Sequence, residues 1–391
     1  MRPNTNVLST KAYRGGLIGK GGQRRALFGS AVGSTIEWYD YFLYGTMSAI
    51  VFGKLFFPSD DPVTSQLLAL ASFALAFLIR PVGGIIFSHI GDRIGRKRTL
   101  VITLSIMGIS TVMIGLMPTY AAIGTSAPVL LTLLRLLQGL ALGGEWGGGV
   151  LLAVEYSPSG RRGFYGAVPQ TGALFGLALG NLATSGTSLA FSEESFLAYG
   201  WRIPFVLSIV LLLIGMWIRS QVDETPSFKR VVALNTTKKV PLFETLTRHW
   251  RAVLIVIGAK FIETSTFFLF ATFTISYLVG LGFQRVAALN AVLIAALIAV
   301  PVMMYFGDLS DRIGRKKVFL LGTAAMMVYI IPYFWLLNRG SWLLAMIAVV
   351  LGFSVIWSTY GSVLGTFFAE SFPPDVRYTG VSLGYQVGAA I

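Results

Sequence analysis

Gly91-Asp92-Arg93-Ile94-Gly95-Arg96-Lys97-Arg98 and Ser310-Asp311-Arg312-Ile313-Gly314-Arg315-Lys316-Lys317 are two copies of one basic motif, 219 residues apart. Each lies between two long apolar runs. Each Lys or Arg at a bilayer centre costs about 2.5–3.5 kcal/mol on the insertion scale, so a cluster of four stays in water on the side of synthesis. The glycines suit a tight reversal between two helices. Topogenesis alone accounts for Arg96, Lys97 and Arg98. It does not account for Asp92 and Asp311, acids set among bases, or for the repeated order of Gly, Asp, Arg and Gly. Each aspartate is expected to make a specific contact.

The rest of the chain has the composition that such loops require. Of 391 residues, 54% are hydrophobic and 12% charged. A soluble domain carries about 25% charged residues, so the chain reads as a polytopic membrane protein. A net charge of +14 raises nucleic acid as a partner. The bases, however, sit in short loops between apolar runs, where the positive-inside rule puts them, and no nucleic-acid partner is expected. Without cysteine, disulfides and thiolate metal sites are excluded. No His or carboxylate cluster has metal-ligand spacing and no nucleotide loop is present, so no cofactor is expected.

A spanning helix needs about 20 mostly apolar residues. Such runs lie near 26–52, 64–88, 99–119, 127–155, 164–188, 199–220, 251–280, 287–306, 318–338 and 341–369, with an eleventh starting near 377. The loops on one side then hold 24 of the 31 bases, which makes that side, and the polar residues 1–25, cytoplasmic. Residues 1–25 lack the short apolar core of a signal peptide. The longest polar stretch, 221–250, reads as a linker between a first bundle, 26–220, and a second, 251–391. Glu155 and Arg162 recur as Glu370 and Arg377 at an offset of 215. Parallel duplication of a six-helix half is one transporter architecture. That offset predicts a second half running to about 435–440, so the chain is expected to stop within helix eleven, with helix twelve absent.

Charged residues inside spans are functional suspects because they are costly in hydrocarbon. Glu37, Asp40, Tyr41 and Tyr44 share one face of the first span. Two acids one turn apart repel when both are ionised, so one is expected to hold a proton readily. In span four, Arg135, Gln138, Leu142 and Glu145 form one stripe. Arg135 needs an acid or a wet cavity, and the acids of span one are the obvious partners. The glycines from Gly143 to Gly149 read as helix packing. In span seven, Lys260, Glu263, Thr264 and Phe267 share a face. Lys260 and Glu263 either neutralise each other or serve the cavity, and Lys260 could snorkel. Arg80, about 10 Å from the end of its predicted helix, divides between snorkelling and substrate binding. Gln170, Asn181, Asn290, Trp357 and Tyr360 are cavity candidates. His89, just before the first motif, reads as structural.

These motifs together carry a resemblance. Both basic loops resemble the loop 2–3 and loop 8–9 signature of the major facilitator superfamily. Ile36-Glu37-Trp38-Tyr39-Asp40, Arg80-Pro81-Val82-Gly83-Gly84, the first basic motif and Arg135-Leu136-Leu137-Gln138-Gly139 resemble its metabolite:proton symporter branch. That branch includes shikimate, α-ketoglutarate, citrate and proline/betaine transporters. The resemblance implies an all-α fold of two pseudo-symmetric six-helix bundles around a central cavity, with alternating access by rocking. It implies a gate built from Gly91, Asp92, Arg93, Gly95 and Arg96. Asp92 would cap the start of helix eleven near Tyr378–Gly380, and Arg96 would pair with Glu155. Asp311, Arg312, Gly314, Arg315 and Glu370 would play the weaker, pseudo-symmetric part. Ser88 departs from the signature's leading glycine, which Gly307 keeps in the second copy.

The combined reading is a monomeric, multi-pass protein of a bacterial-type inner membrane with its N-terminus cytoplasmic. It would move protons with a small polar organic solute, an organic acid or a zwitterion. Glu37, Asp40 and Glu263 are the proton-coupling candidates. Arg135, Lys260, Arg80, Tyr41, Gln138, Glu145, Gln170 and Trp357 are the substrate-binding candidates. A transporter-fold sensor would need an appended signalling domain. A membrane enzyme would need a catalytic constellation, and none is evident. An inactive truncated fragment is the remaining alternative.

Overall fold

A computed structural model describes residues 20–233 and 241–391. Residues 1–19 of the tail, and Lys238 and Lys239 of the linker, lie outside the described residues. Eleven long helices follow the eleven apolar runs. Helix α1, Lys20–Met47, runs on through a wider π-helical turn to Phe56. Then come α2, Pro62–Ile94, α3, Arg96–Leu116, α4, Ser126–Glu155, α5, Arg162–Ala190, and α6, Arg202–Ser220. Short helices Pro226–Ala233 and Pro241–Arg248 lie in the linker. The second group is α7, Trp250–Gly280, α8, Arg285–Ile313, α9, Arg315–Leu337, α10, Trp342–Glu370, and α11, Arg377–Ala390. Eight of these, α2, α3, α4, α6 and α7 to α10, are long and apolar enough to cross a membrane.

The main departure from the predicted spans lies at the basic motifs. Helices α2 and α8 do not stop before them. Asp92, Arg93, Asp311 and Arg312 occupy the last helical turns, and the chain breaks at Gly95 and Gly314, with φ of 107° and 98°. Only at these two positions does the motif need a left-handed backbone, which favours glycine. Gly91 is inside α2. A Cβ there would lie 2.2 Å from the Tyr378 ring, so its smallness serves close approach and not reversal. The longer α2 also moves Arg80. It stands 14 residues from Ile94, about 21 Å along the axis, beyond the reach of a snorkelling side chain. It is mid-helix and buried.

Within the first bundle, α2 and α4 meet backbone to backbone. A Cβ on Gly83 would come 1.9 Å from the Leu140 carbonyl oxygen, and one on Gly143 would come 2.3 Å from that of Arg80. Small residues at membrane-helix interfaces gain packing in this way. The second bundle packs Phe267, Phe270, Ala295, Met303, Tyr333, Phe353 and Trp357 into one apolar core. Helix α11 lies against α7 of its own bundle and against α2 and α4 of the other, and α5 lies against α8. Helix α2 starts with its own cap: Asp61 accepts from the Val63 and Thr64 amides at 3.1 Å each. The Thr64 hydroxyl and these amides hold the Asp61 carboxyl below its ordinary range. Helices α3, α5 and α11 have no side-chain cap at their own N-cap residues.

Candidate functional site

A partly open cavity lies between the bundles. Its walls are Trp38 of α1, Phe77 and Arg80 of α2, Gln170 and Ala173 of α5, Lys260, Glu263, Thr264, Phe267 and Phe268 of α7, Trp357 of α10, and Tyr385 and Ala389 of α11. Five of the predicted site residues therefore meet: Arg80, Gln170, Lys260, Glu263 and Trp357. Lys260 and Glu263 form a buried ion pair, and the Lys260 ammonium lies 4.2 Å over the Tyr385 ring. Trp357 donates its indole N–H to the Glu263 carbonyl at 3.3 Å. Arg80 donates from Nε to Gln386 at 3.0 Å, and Gln386 donates onward to the Gly143 carbonyl at 2.9 Å. The terminal nitrogens of Arg80 have no protein acceptor among the described residues. Gln170 is already committed: its oxygen accepts from Trp146 at 2.8 Å and its nitrogen donates to the Gly361 carbonyl at 3.3 Å. It braces the wall, with Trp146 stacked 3.6 Å from Tyr385.

The stripe on α4 faces elsewhere. Arg135, Gln138 and Glu145 share a face as predicted, but that face meets side chains of α1, α2, α3 and α6 and not the cavity. Gln138 donates to Thr111 at 2.8 Å. Arg135, fully buried, donates to Gln138 at 3.2 Å and lies over the rings of Tyr44, Phe73 and Tyr41 at 4.3, 4.9 and 5.6 Å. Its partners are ring faces and an amide and not the anticipated ion pair. A weakly hydrated, planar guanidinium is suited to such stacking. Tyr41 belongs to the same cluster, and no partner is recorded for its hydroxyl. Glu145 is taken by Arg219 in a buried ion pair and by the Thr103 hydroxyl at 2.6 Å. Arg219, two residues before the predicted linker, is the last-turn cation of α6, folded back into the bundle.

Glu37 and Asp40 are both buried, and among the described residues none of their carboxyl oxygens accepts a well-formed hydrogen bond. The groups acting on Asp40 are Thr111 and Arg135. Thr111 gives its single proton to the Met107 carbonyl at 3.0 Å. The charges acting on Glu37 are Glu145, Arg80, Arg219 and Lys260. Glu37 thus comes under charges of both the cavity and the Glu145–Arg219 pair.

At the end carrying the basic motifs, the two bundles are tied by crossed contacts. Asp92 accepts from the Thr379 amide at 3.0 Å and its hydroxyl at 2.9 Å. Asp311 accepts from the Gly163 and Phe164 amides at 2.9 and 3.1 Å. Arg96 pairs with Asp92 at 3.3 Å and donates to the Pro374 carbonyl at 3.0 Å. The anticipated Arg96–Glu155 pair is replaced: Glu155 is held by Arg377 at 3.2 Å, while Arg96 lies 4.9 Å over the Phe228 ring of the linker helix. Arg315 bridges Asp311 at 2.8 Å and Glu370 at 3.4 Å. Arg93 and Arg312 are exposed.

Three contributors were not singled out from the sequence. Glu224 of the linker accepts from the Arg96 amide at 2.9 Å and the Lys97 amide at 3.2 Å, so it caps α3. Gln386 and Tyr385 line the cavity or hold Arg80 from the final run. A polar residue inside an apolar run was the available signal for Gln386.

The family model described as Major Facilitator Superfamily matches residues 32–391. The chain belongs to the Major Facilitator Superfamily. It is similar to the inner membrane metabolite transport protein YhjE of Escherichia coli K12, 39% identical over 387 residues, which cover 94% of this chain and 85% of the relative. It is similar to the shikimate transporter of the same organism, 37% identical over 391 residues, covering 99% and 89%. In fold it is similar to the proton:xylose symporter XylE bound to 6-bromo-6-deoxy-D-glucose, with a TM-score of 0.74 at 16% identity, covering 95% and 86%. The protein is therefore a multi-pass membrane transporter with the major facilitator fold, and not an enzyme.

Proposed function

We propose that this transporter is a proton-coupled symporter of a small carboxylate-bearing solute, an organic acid or a zwitterion, working by alternating access. The charge of the cavity carries this reading. Lys260 and Glu263 neutralise each other, which leaves Arg80 as a cation with its terminal nitrogens unsatisfied. A planar guanidinium matches a carboxylate bidentately, and six aromatic walls suit a small organic body. Glu37 and Asp40 are the proton sites. An unpaired buried carboxyl is stable when neutral and costly when charged, so loading and release follow the arrival and departure of a counter-charge. Arg135 is that counter-charge for Asp40, and Arg80 and Lys260 act on Glu37 from the cavity. Glu263 is the third coupling acid, freed when an incoming carboxylate draws Lys260 away.

The crossed Asp92 and Asp311 contacts form the cytoplasmic gate, with Arg96, Glu155, Arg315 and Glu370 around them. The similarity to an inner-membrane metabolite transporter and a shikimate transporter supports this class, as does the proton-symporter fold. The same reading places a monomer in a bacterial-type inner membrane, N-terminus cytoplasmic. The test is uptake by proteoliposomes under an imposed pH gradient, with counterflow measured beside it. Carboxylic acids should compete with the transported solute and neutral polyols should not. Arg80→Gln, losing charge-assisted hydrogen bonds of about 1.5–3 kcal/mol, should weaken binding on the order of 10- to 150-fold. Polyols competing as well as acids would remove the carboxylate assignment. Proton-driven accumulation surviving in each of Glu37→Gln, Asp40→Asn and Glu263→Gln would remove the coupling assignment.

A further inference from the structure

The Glu145–Arg219 pair lies outside the cavity, and the reading above gives it no task. Both residues are nearly inaccessible, 2% and 3% exposed. Its position relative to Glu37 is specific. The Arg219 guanidinium presses on α1 at Gly33, where a Cβ would lie 2.2 Å from Arg219 Nη2 and 3.4 Å from Glu145 Oε1. Glu37 is four residues on from Gly33 and shares its helical face. The charged groups acting on Glu37 come from every side: Glu145 on α4, Arg219 on α6, Arg80 on α2 and Lys260 on α7. Arg80 and Lys260 line the cavity. The other two lie towards the basic end, because Arg219 closes α6 and the next residue's carbonyl, Ser220, accepts from Lys97 at 3.0 Å. Tyr378, whose hydroxyl donates to the Gly144 carbonyl, comes under the charges of both Glu145–Arg219 and Asp92–Arg96. A polar line thus runs from the cavity to the gate.

Along this line the bonding is unevenly shared. Glu145 has Arg219 and Thr103. Among the described residues Glu37 has no partner for either oxygen, and Arg219 Nε has none either. Both carboxyls come under the charge of one guanidinium, and one proton with one guanidinium is what makes two carboxyls neutral.

We propose that Glu145 is the second station of the proton path and that Arg219 is its positioning residue. The Glu37 O–H bond breaks and a Glu145 O–H bond forms, directly or through one water, while the Arg219 guanidinium moves the opposite way, from Glu145 to Glu37. The electron pair stays on Glu37 as a carboxylate that Arg219 now meets, and the cluster remains neutral throughout. Glu145 then gives the proton to water at the basic end, and Arg219 returns.

This rests on Glu37 being a coupling acid, and the experiment separates the two ideas. The full chain is reconstituted, and proton-driven uptake is measured against external pH and normalised to counterflow. In Glu145→Gln the second carrier of the proton is gone and Arg219 is left to Glu37 alone, so proton-driven uptake should be lost across the pH range while counterflow survives. In Gly33→Ala the new methyl pushes Arg219 off α1 and towards Glu145, and the profile should move alkaline. Gly→Ala is favourable within a helix, so this variant decides the matter if Glu145→Gln does not fold. Proton-driven uptake retained in Glu145→Gln, or a profile in Gly33→Ala that is unmoved or moves acid, overturns the proposal. If Glu37→Gln abolishes proton-driven uptake while Glu145→Gln and Gly33→Ala match the parent, this inference alone falls. If Glu37→Gln still concentrates solute, the coupling reading falls first.

Discussion

At Asp92 and at Asp311, the carboxylate closing a helix of one bundle caps the start of a helix in the other. The residues at the helix starts supply no cap: Val376 for α11 and Arg161 for α5. Asp92 takes the third amide of α11 and that residue's hydroxyl, and Asp311 takes the second and third amides of α5. By hydrogen bonds alone the two copies are equal. They differ in depth. The Asp92 and Arg96 side chains are each 1% exposed, whereas Asp311 is 3% and Arg315 15% exposed, so the difference lies at the arginine. They differ also in what holds the following helix. Glu224 caps α3, but nothing lies within 4 Å of a Cβ built on Gly314. One linker cannot serve both copies of a duplicated motif, so equal sequences acquire unequal anchoring.

The largest expected effect tests the difference in depth. Asp92→Ala leaves Arg96 buried without its carboxylate, which should cost about 3–5 kcal/mol. Asp311→Ala leaves Arg315 with Glu370 and removes a cap, costing about 1–2 kcal/mol. Unfolding in detergent reads both, and equal losses would end the asymmetry. Gly95→Ala and Gly314→Ala come next. Each forces a left-handed alanine, about 1–2 kcal/mol, but at Gly95 the methyl would also come 2.1 Å from Glu224 and displace the α3 cap, adding about 1 kcal/mol. A Gly314 variant as unstable as the Gly95 variant would contradict the anchoring difference.

Asp92→Asn is milder. It removes charge while keeping an acceptor, so it should shift the balance between closed and open gate, changing transport rate about tenfold with solute affinity nearly unchanged. A normal maximal rate with a large loss of affinity would give the motif another role. The smallest effect is Arg312→Ala. Its pair with Asp308 is exposed, 75% and 30%, and should contribute no more than about 1 kcal/mol. A larger loss would mean that the exposed half of the motif matters too.

The helices were legible because membrane spans are written in long apolar runs, which no tertiary partner needs to complete. Faces were legible as well: Arg135, Gln138 and Glu145 do share one. What that face meets was not, because an i, i+3 stripe fixes direction about one axis and says nothing of the neighbour. So the stripe was assigned to the cavity, whereas Arg135 packs on rings of α1 and α2, and Gln138 and Glu145 bond to α3 and α6. Arg219 was hidden by its position two residues before the polar stretch, where a buried cation and a topogenic one look alike. The exchange of partners that gives Glu155 to Arg377 turns on where the linker aromatic Phe228 sits, and that is a three-dimensional fact. Arg80, Lys260 and Glu263 were readable because charge in a span is rare and needs a reason.

The crossed caps also have a consequence in time. Helix α11 emerges from the ribosome when Asp92, 287 residues earlier, is already made and waiting, so its first turn can be closed as it forms. Helix α5 has no such provision. The carboxylate that caps it comes 148 residues later, so throughout the synthesis of α6, α7 and most of α8 the amides at the start of α5 must be satisfied by water. The first half thus waits for a residue of the second, and the second waits for nothing.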